Sequence, residues 1–193
     1  MTRTTSCIAQ AFCLLAVLSQ TVNAQTLKIE NLALELAYDS GTGQFSVTSR
    51  AAQEPFVTHG RFSGQKGTAQ VVTVDHKTLG AGRAIEIRYP GGARDEILLL
   101  GELPFVFLRA TLSNGKSEPV VLNKVHTASV RLDLGQPAEK LKVVGTGGLA
   151  APQKKPGSYM WMAVAEPESR RGVVAGWLTT DRGSGVVLAD VEE

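Results

Sequence analysis

The sequence predicts an all-β protein, an antiparallel β-sandwich of about a dozen short strands. Apolar and polar residues alternate along most of the chain, which is the period of a strand with one face buried. Ala84–Tyr89 shows this clearly, with Ile85 and Ile87 on one face and Glu86 and Arg88 on the other. Turns rich in glycine and proline separate such runs at even spacing, and no stretch has the period of a helix. A sandwich or barrel is therefore expected.

Residues 1–24 have the pattern of an export signal. Arg3 gives a positively charged start, Ile8–Leu18 is a short apolar run, and Val22-Asn23-Ala24 ends on a small residue suited to cleavage. An uncleaved anchor is the alternative, but this run of 11 residues is well short of the ~20 that a membrane-spanning helix needs. We therefore expect cleavage after Ala24, a secreted or periplasmic β-sandwich domain of residues 25–193, and no membrane span.

Both cysteines of the sequence, Cys7 and Cys13, lie in this signal, so no disulfide is expected in the mature domain. Its stability must come from a hydrophobic core, and a chain of this length buries about 70% of its unfolded surface. Of the 20 basic residues one, Arg3, lies in the signal, which leaves 19 basic residues against 18 acidic ones. This balance predicts no nucleic-acid partner.

Six strands are predicted in the first half of the mature domain. The loop Asp39–Gly43 joins the second and third, and its glycines favour a hairpin. Pro90-Gly91-Gly92 ends the sixth strand. The predicted strands are Leu27–Ile29, Leu32–Tyr38, Phe45–Val47, Val57–Phe62, Val71–Asp75 and Ala84–Tyr89.

The second half is more apolar. Ile97–Leu100 and Pro104–Leu112 have apolar residues on both faces, which indicates interior strands. Asn114-Gly115 favours a hairpin turn, and alternation over Val120–Leu134 predicts one long strand after it. Further strands are expected at Leu141–Val144, Tyr159–Ala165, Gly172–Thr179 and Val186–Val191, with an exposed loop at Gly145–Pro156. The last strand is still in progress at Glu193, so we expect a partial protein, or an open reading frame that ended early, with a sandwich that is incomplete at its C-terminus.

No residue pattern predicts a metal site or a cofactor. His59, His76 and His126 lie in separate segments, and none has a second ligand at the spacing of a metal site. His126 is in phase with Ala128 and Val130, which favours a structural role in the core or at a sheet edge.

No catalytic residue is predicted either. Gly183-Ser184-Gly185 lacks the glycine spacing of a nucleophile elbow. Gly145–Gly148 follows a strand as a phosphate-binding loop would, but Pro152 lies where the required helix would run, so a hairpin loop is favoured. The neighbours Asp95 and Glu96 point to opposite faces of a strand and cannot flank one glycosidic bond.

Aromatic residues near the C-terminus are the best candidates for a binding surface. Tyr159 and Trp161 share one face of their predicted strand, and Trp177 lies in a neighbouring one. Exposed indoles stack on sugar rings, whereas buried ones belong to a core or a domain interface. Met160, Met162 and Val164 on the opposite face favour burial. Asp181 and Arg182, at the tip of the following turn, are candidates for the same carbohydrate-binding or domain-interface surface.

Four segments carry a family resemblance. They are NLALELAYDSGTGQFSV at Asn31–Val47, and then IEIRYPGGARDEILLLGELPFVFLRATLSN, GTGGL and SYMWMAVAEPESRRGVVAGWLTTDRGSGVV. Their order resembles the N-terminal β-sandwich of secreted α-galactosidase-like, or melibiase-type, glycoside hydrolases. The resemblance implies a super-sandwich of the galactose-mutarotase type that packs against a (β/α)8 barrel. In that family the catalytic aspartates lie in the barrel, so the resemblance implies a non-catalytic accessory domain here, truncated before the missing catalytic barrel. It also implies galactose-containing carbohydrate as the substrate of the whole enzyme.

Two other classes of function stay open. A free-standing carbohydrate-binding or adhesion sandwich would expose Trp161 or Trp177, whereas an accessory domain would bury them or turn them towards a missing partner. A sugar epimerase of the mutarotase type would need a histidine and a carboxylate in one cleft. The sequence suggests no such pair, so this third hypothesis ranks last.

Overall fold

The computed structural model describes residues 25–62, 64, 67–179 and 183–191, and it is built almost entirely from strands. The predicted export signal, residues 1–24, lies outside the described residues. Within them the helical elements are two 3-10 turns, Ala138–Lys140 and Pro152–Lys154. The all-β prediction is confirmed. The strands are β1 (Thr26–Glu30), β2 (Leu34–Asp39), β3 (Gln44–Ser49), β4 (Glu54–Phe62), β5 (Thr68–His76), β6 (Gly80–Arg88), β7 (Arg94–Leu100), β8 (Phe107–Thr111), β9 (Ala128–Leu132), β10 (Lys142–Gly145), β11 (Gly148–Ala150), β12 (Gly157–Tyr159), β13 (Trp161–Glu166), β14 (Arg171–Gly176) and β15 (Val186–Leu188).

The strands form antiparallel sheets. The first sheet has the order β1-β2-β3-β4-β9, the second β5-β6-β7-β8 and the third β11-β10-β13-β14, while β12 and β15 pair by themselves. Most pairs join strands that follow one another in the chain. β9 is different, because the chain completes the second sheet before it returns to the edge of the first.

The first and second sheets enclose the main core, as expected for a sandwich. The first sheet contributes Ile29, Leu36 and Val47, and the second contributes Ile85 and Ile97. All five side chains are at most 1% exposed. Burial of one side chain of this size is worth about 1.5–3 kcal/mol, so the contact between these two sheets dominates the stability of the fold.

The opposite face of the second sheet carries a smaller apolar cluster, in which Ala84, Leu98 and Leu100 are buried. The four residues Ile97–Leu100 are all buried, which confirms the prediction of an interior strand. The same prediction is wrong for Pro104–Leu112. Its strand, β8, is the edge strand of the second sheet, and Leu108 and Leu112 are exposed.

The long strand predicted over Val120–Leu134 is also wrong. Only β9 forms within it, and residues 112–127 are an irregular connection whose side chains are largely exposed. Asn114-Gly115 does not close a hairpin, because β8 pairs with β7 and β9 pairs with β4. Instead the Asn114 side chain accepts a hydrogen bond from the Lys116 N–H at 3.0 Å and donates one to the Glu118 carbonyl at 2.7 Å. Alternation of apolar and polar residues is not enough for a strand, which also needs a neighbouring strand to pair with.

An exposed ion pair joins the third sheet to the first. The Arg171 guanidinium, at the start of β14, contacts the Glu54 carboxylate at the start of β4 at 2.9 Å. The β13–β14 turn is held by the buried Glu166 carboxylate, which accepts hydrogen bonds from the Glu168 and Ser169 N–H groups at 3.0 and 2.5 Å. These contacts, chiefly the hydrogen bonding with Ser169, keep the pKa of Glu166 below its usual value.

Candidate functional site

Tyr159, Trp161 and Trp177 lie around a bend in the chain, and we call these three residues the aromatic corner. The bend is at Met160, whose φ of 68° is in the left-handed region. Before it, β12 pairs with β15; after it, β13 pairs with β10 and β14. The Met160 N–H donates to the Gly185 carbonyl at 2.9 Å, and the Met160 carbonyl accepts from the Trp177 N–H at 2.8 Å. The prediction of one strand over Tyr159–Ala165, with Tyr159 and Trp161 on one face, is therefore wrong.

The aromatic corner is exposed. Tyr159 is 64% exposed, Trp161 42% and Trp177 39%, so the expectation of buried tryptophans is wrong for the described chain. Glycines make room for both indoles. Trp161 lies opposite Gly176 on β14, and the Trp177 ring lies against Gly185, where a Cβ would clash with it. The Trp177 Nε1–H donates to the Val186 carbonyl at 3.3 Å, which fixes the plane of the ring.

Trp161 belongs to a wider apolar surface on the third sheet. The cross-strand register places Leu149, Val144, Ala163 and Val174 in one row across the four strands, and Trp161 is on the same face, two residues from Ala163. We call these five residues the apolar face. Leu149 and Val174 are each 72% exposed. Contiguous exposed apolar residues are a common feature of protein surfaces that bind a partner.

Two predicted site residues, Asp181 and Arg182, lie outside the described residues. Their place beside the aromatic corner stays a prediction. The strand predicted over Gly172–Thr179 ends at Gly176, and the one predicted over Val186–Val191 ends at Leu188.

The sequence did not predict a polar network on the second sheet. Glu86 and Glu96 are 4% and 3% exposed and lie directly opposite each other on β6 and β7. Glu86 accepts hydrogen bonds from Gln70 at 2.9 Å, Arg88 at 2.8 Å and Arg94 at 3.1 Å. Arg109 donates two bonds to Glu96, from Nε at 2.6 Å and Nη2 at 2.7 Å.

Glycoside hydrolases use two carboxyl groups that face each other for catalysis, and one of them acts as an acid with a raised pKa. Glu86 does not fit this role, because the hydrogen bonds from Gln70 and Arg88 hold its pKa below the usual value. The two bonds to Glu96 raise the pKa of Arg109. The network is therefore a set of ion pairs, within and between strands, over one face of the sheet. The sequence could have predicted the facing glutamates from the glycine turn after β6, because a hairpin that pairs Arg88 with Arg94 must also pair Glu86 with Glu96.

Asp95 lies on the other face of β7, as predicted, and is only 7% exposed. The Tyr89 hydroxyl donates a hydrogen bond to it at 2.7 Å. Loss of hydration raises the pKa of Asp95 in spite of this bond, and the same burial, together with Asp95 itself, raises the pKa of Tyr89. Buried Asp95 and half-buried Tyr89 form a polar pair at the margin of the main core.

A cavity of about 150 Å³ lies behind the aromatic corner, on the other face of the third sheet, with Val143, Ser158 and Met162 among its lining residues. The buried Ser158 hydroxyl accepts from the Thr146 N–H at 2.8 Å and donates to the Trp161 carbonyl at 2.5 Å. Its hydrogen-bonding capacity is used within the fold. Gly145–Gly148 closes the β10–β11 hairpin, which confirms that interpretation, although the expected loop Gly145–Pro156 contains a strand and a 3-10 turn.

Among the described residues no group of three or more His, Cys, Asp or Glu side chains could hold a metal ion. In the same part of the chain, no helix has the length and hydropathy to cross a membrane. The comparisons with known proteins gave no match. No family model, no curated protein and no solved structure matches this chain.

Proposed function

We propose that this chain is the non-catalytic β-sandwich of a secreted α-galactosidase-like glycoside hydrolase, and that its apolar face packs against the catalytic (β/α)8 barrel. The family comes from the sequence resemblance alone. The observation that supports a packing role is the exposed apolar face of the third sheet. Residues 1–24 are the proposed export signal, removed after Ala24, and N-terminal sequencing of the exported protein that found Met1 would contradict this.

The chemistry of the apolar face favours a protein partner over a sugar. Its side chains other than Trp161 are aliphatic, and Val174 and Leu149 offer no hydrogen bond to a hydroxyl group. A sugar site combines an aromatic platform with polar groups that fix the orientation of the ring. Among the residues of the four strands, the one charged side chain on this face is that of Lys142, two residues before Val144 on β10. Arg171 and Glu166 lie on the opposite face of the sheet.

The first experiment measures activity and the apolar face separately. The chain alone, incubated with an aryl α-galactoside, should give no hydrolysis above background, and turnover that survives repurification would refute the proposal.

Leu149→Lys and Val174→Lys should each reduce the binding of a hydrophobic dye. Leu32→Lys is the matched control, because Leu32 is equally exposed but lies in the β1–β2 turn of the first sheet. Equal effects of all three substitutions would show that the apolar face is not a distinct binding surface.

The second experiment concerns the barrel itself. The coding DNA downstream of the Glu193 codon should continue in frame with the alternating helix-strand period of a barrel. A stop codon followed by an unrelated gene would count against the accessory-domain proposal.

The exposed aromatic corner supports one alternative, a free-standing carbohydrate-binding or adhesion module. Under this alternative a galactoside or a polysaccharide would quench tryptophan fluorescence saturably, and Trp161→Ala or Trp177→Ala would remove the response. The accessory-domain proposal expects no saturable quenching by the isolated chain.

A further inference from the structure

The outer edge of β14 is an open pairing surface. β14 is the last strand of the third sheet, and no described strand pairs with its other side. The Trp177 N–H donates to Met160, on the β13 side. Backbone groups alternate in direction along an antiparallel strand, so those of Gly172, Val174 and Gly176 point away from β13. Five of the six residues of β14 are exposed.

This edge also lacks the features with which folded proteins protect edge strands, namely charged residues, prolines, bulges or very short length. The other edge strands have them: β1 carries Lys28, β5 Asp75, β8 Arg109 and β9 Arg131, while β11, β12 and β15 are only three residues long. In β14 the one charged residue, Arg171, is at the very start. The register of β14 with β13 is regular over all six residue pairs, so no bulge twists this edge away from a partner.

The outward-pointing residues of β14 are symmetric about Val174, with Gly172 on one side and Gly176 on the other. If β14 of a second copy lies antiparallel beside this edge, the outward-pointing residues of the two strands can face each other. Val174 then lies opposite Val174 of the second copy, and Gly172 lies opposite its Gly176. Each such pair exchanges two backbone hydrogen bonds. The glycines carry no side chain that could hinder the approach of the second backbone, and the central pair is β-branched, as strands prefer.

We propose that the β14 edge binds β14 of a second copy of this chain, about a two-fold axis through Val174. The two third sheets then form one continuous eight-stranded sheet. Such an isologous contact closes on itself, so it gives a dimer and not a filament. The contact is narrow, and interfaces of small area are weak. The dimer should therefore depend on protein concentration. This inference concerns the strand edge and does not depend on which domain covers the apolar face.

Sedimentation over about a hundredfold range of concentration measures the association. The unchanged chain should shift from monomer to dimer. Val174→Pro removes an outward N–H without breaking the β13–β14 ladder, and it should keep the protein monomeric. Val174→Lys, which places a charge at the centre of the contact, is the second variant in case the proline variant does not fold, as judged by circular dichroism. Leu149→Lys is the control, because it changes the apolar face but not the edge, and it should still dimerise.

A cross-link tests the register. In a chain carrying Cys7→Ser and Cys13→Ser, Val174→Cys should give a disulfide-linked dimer, because Cα atoms of a hydrogen-bonded antiparallel pair are about 5.5 Å apart, within disulfide range. Leu149→Cys should not. A chain that stays monomeric at every concentration overturns the proposal. So does a dimer that survives the Val174 substitutions, one that is lost in Leu149→Lys, or one that does not cross-link through Val174→Cys.

Discussion

Replacement of Asp95 by asparagine should stabilise the protein at neutral pH. Asp95 is buried, and its loss of hydration raises its pKa. Its described hydrogen bond comes from the Tyr89 hydroxyl at 2.7 Å. The side-chain oxygen of asparagine can accept the same bond, which is worth about 1 kcal/mol. The substitution therefore removes the charge and keeps the contact.

The size of the effect follows from the difference in pKa between the folded and unfolded chain. Below pH ~3.9, the value of an unperturbed aspartate, both states hold the proton. As the pH rises from this value to the higher pKa of the folded state, the unfolded chain releases its proton while the folded chain keeps it, and stability is lost until the folded carboxyl also ionises. Each unit by which folding raises the pKa lowers the free energy of unfolding at neutral pH by about 1.4 kcal/mol. The amide of the Asp95→Asn variant cannot ionise, so the variant does not lose this stability.

Urea denaturation, followed by far-ultraviolet circular dichroism between about pH 4 and pH 7, measures the effect. The stability gained by Asp95→Asn should grow as the pH rises and then level off. Asp75→Asn is the matched control, because Asp75 is exposed on β5. If the gain is independent of pH, or if the variant becomes less stable than the unchanged protein as the pH rises, then the pKa of Asp95 is not raised and the reasoning fails.

Three further substitutions test other parts of the fold by thermal or urea denaturation. Glu96→Ala leaves the guanidinium of Arg109 without its two hydrogen bonds. Because that group is half exposed and can be hydrated, the free energy of unfolding should fall by about 1–2 kcal/mol. No loss of stability would show that the pair is dispensable. Ile97→Ala opens a cavity between the two main sheets and should cost about 2–5 kcal/mol; a cost below about 1 kcal/mol would contradict the observed core. Gly185→Ala places a Cβ against a tryptophan ring and should cost about 1–3 kcal/mol, whereas Gly183→Ala, which meets open space, should change stability by less than about 0.5 kcal/mol.

Local pairing explains which strands could be predicted from the sequence. β6 and β7 are joined by a short turn at Pro90–Gly92, so the alternation of Ile85 and Ile87 with polar residues defines both the strand and its inward face. The alternation of Val130, Leu132 and Leu134 belongs to β9 and the residues just after it, and the prediction extended it too far back along the chain. Residues 112–127 do not alternate regularly, and no described strand pairs with them as they pass between two sheets.

The candidate site was less predictable, because exposure is a property of packing. The indoles of Trp161 and Trp177 have a sequence context typical of burial, yet what covers a side chain depends on segments far away in the chain. The bend at Met160 was also hidden, since a methionine with positive φ has no signature in the sequence. The pair of Glu86 and Glu96 follows from the hairpin register, but its burial depends on arginines from β6, β7 and β8.

The position of β9 has a consequence for the order of folding. Phe62 pairs with Ala128, so the first sheet is completed only when two segments 66 residues apart in the chain meet. Closure of such a long loop costs conformational entropy before any contact repays it, whereas the hairpins β1 to β4 and β5 to β8 form from near neighbours. The strands β1 to β4 and β5 to β8 should therefore assemble first, and β9 should join the first sheet last. Until β9 arrives, β4 is an unpaired edge, and this is the stage at which the nascent protein is most exposed to aggregation.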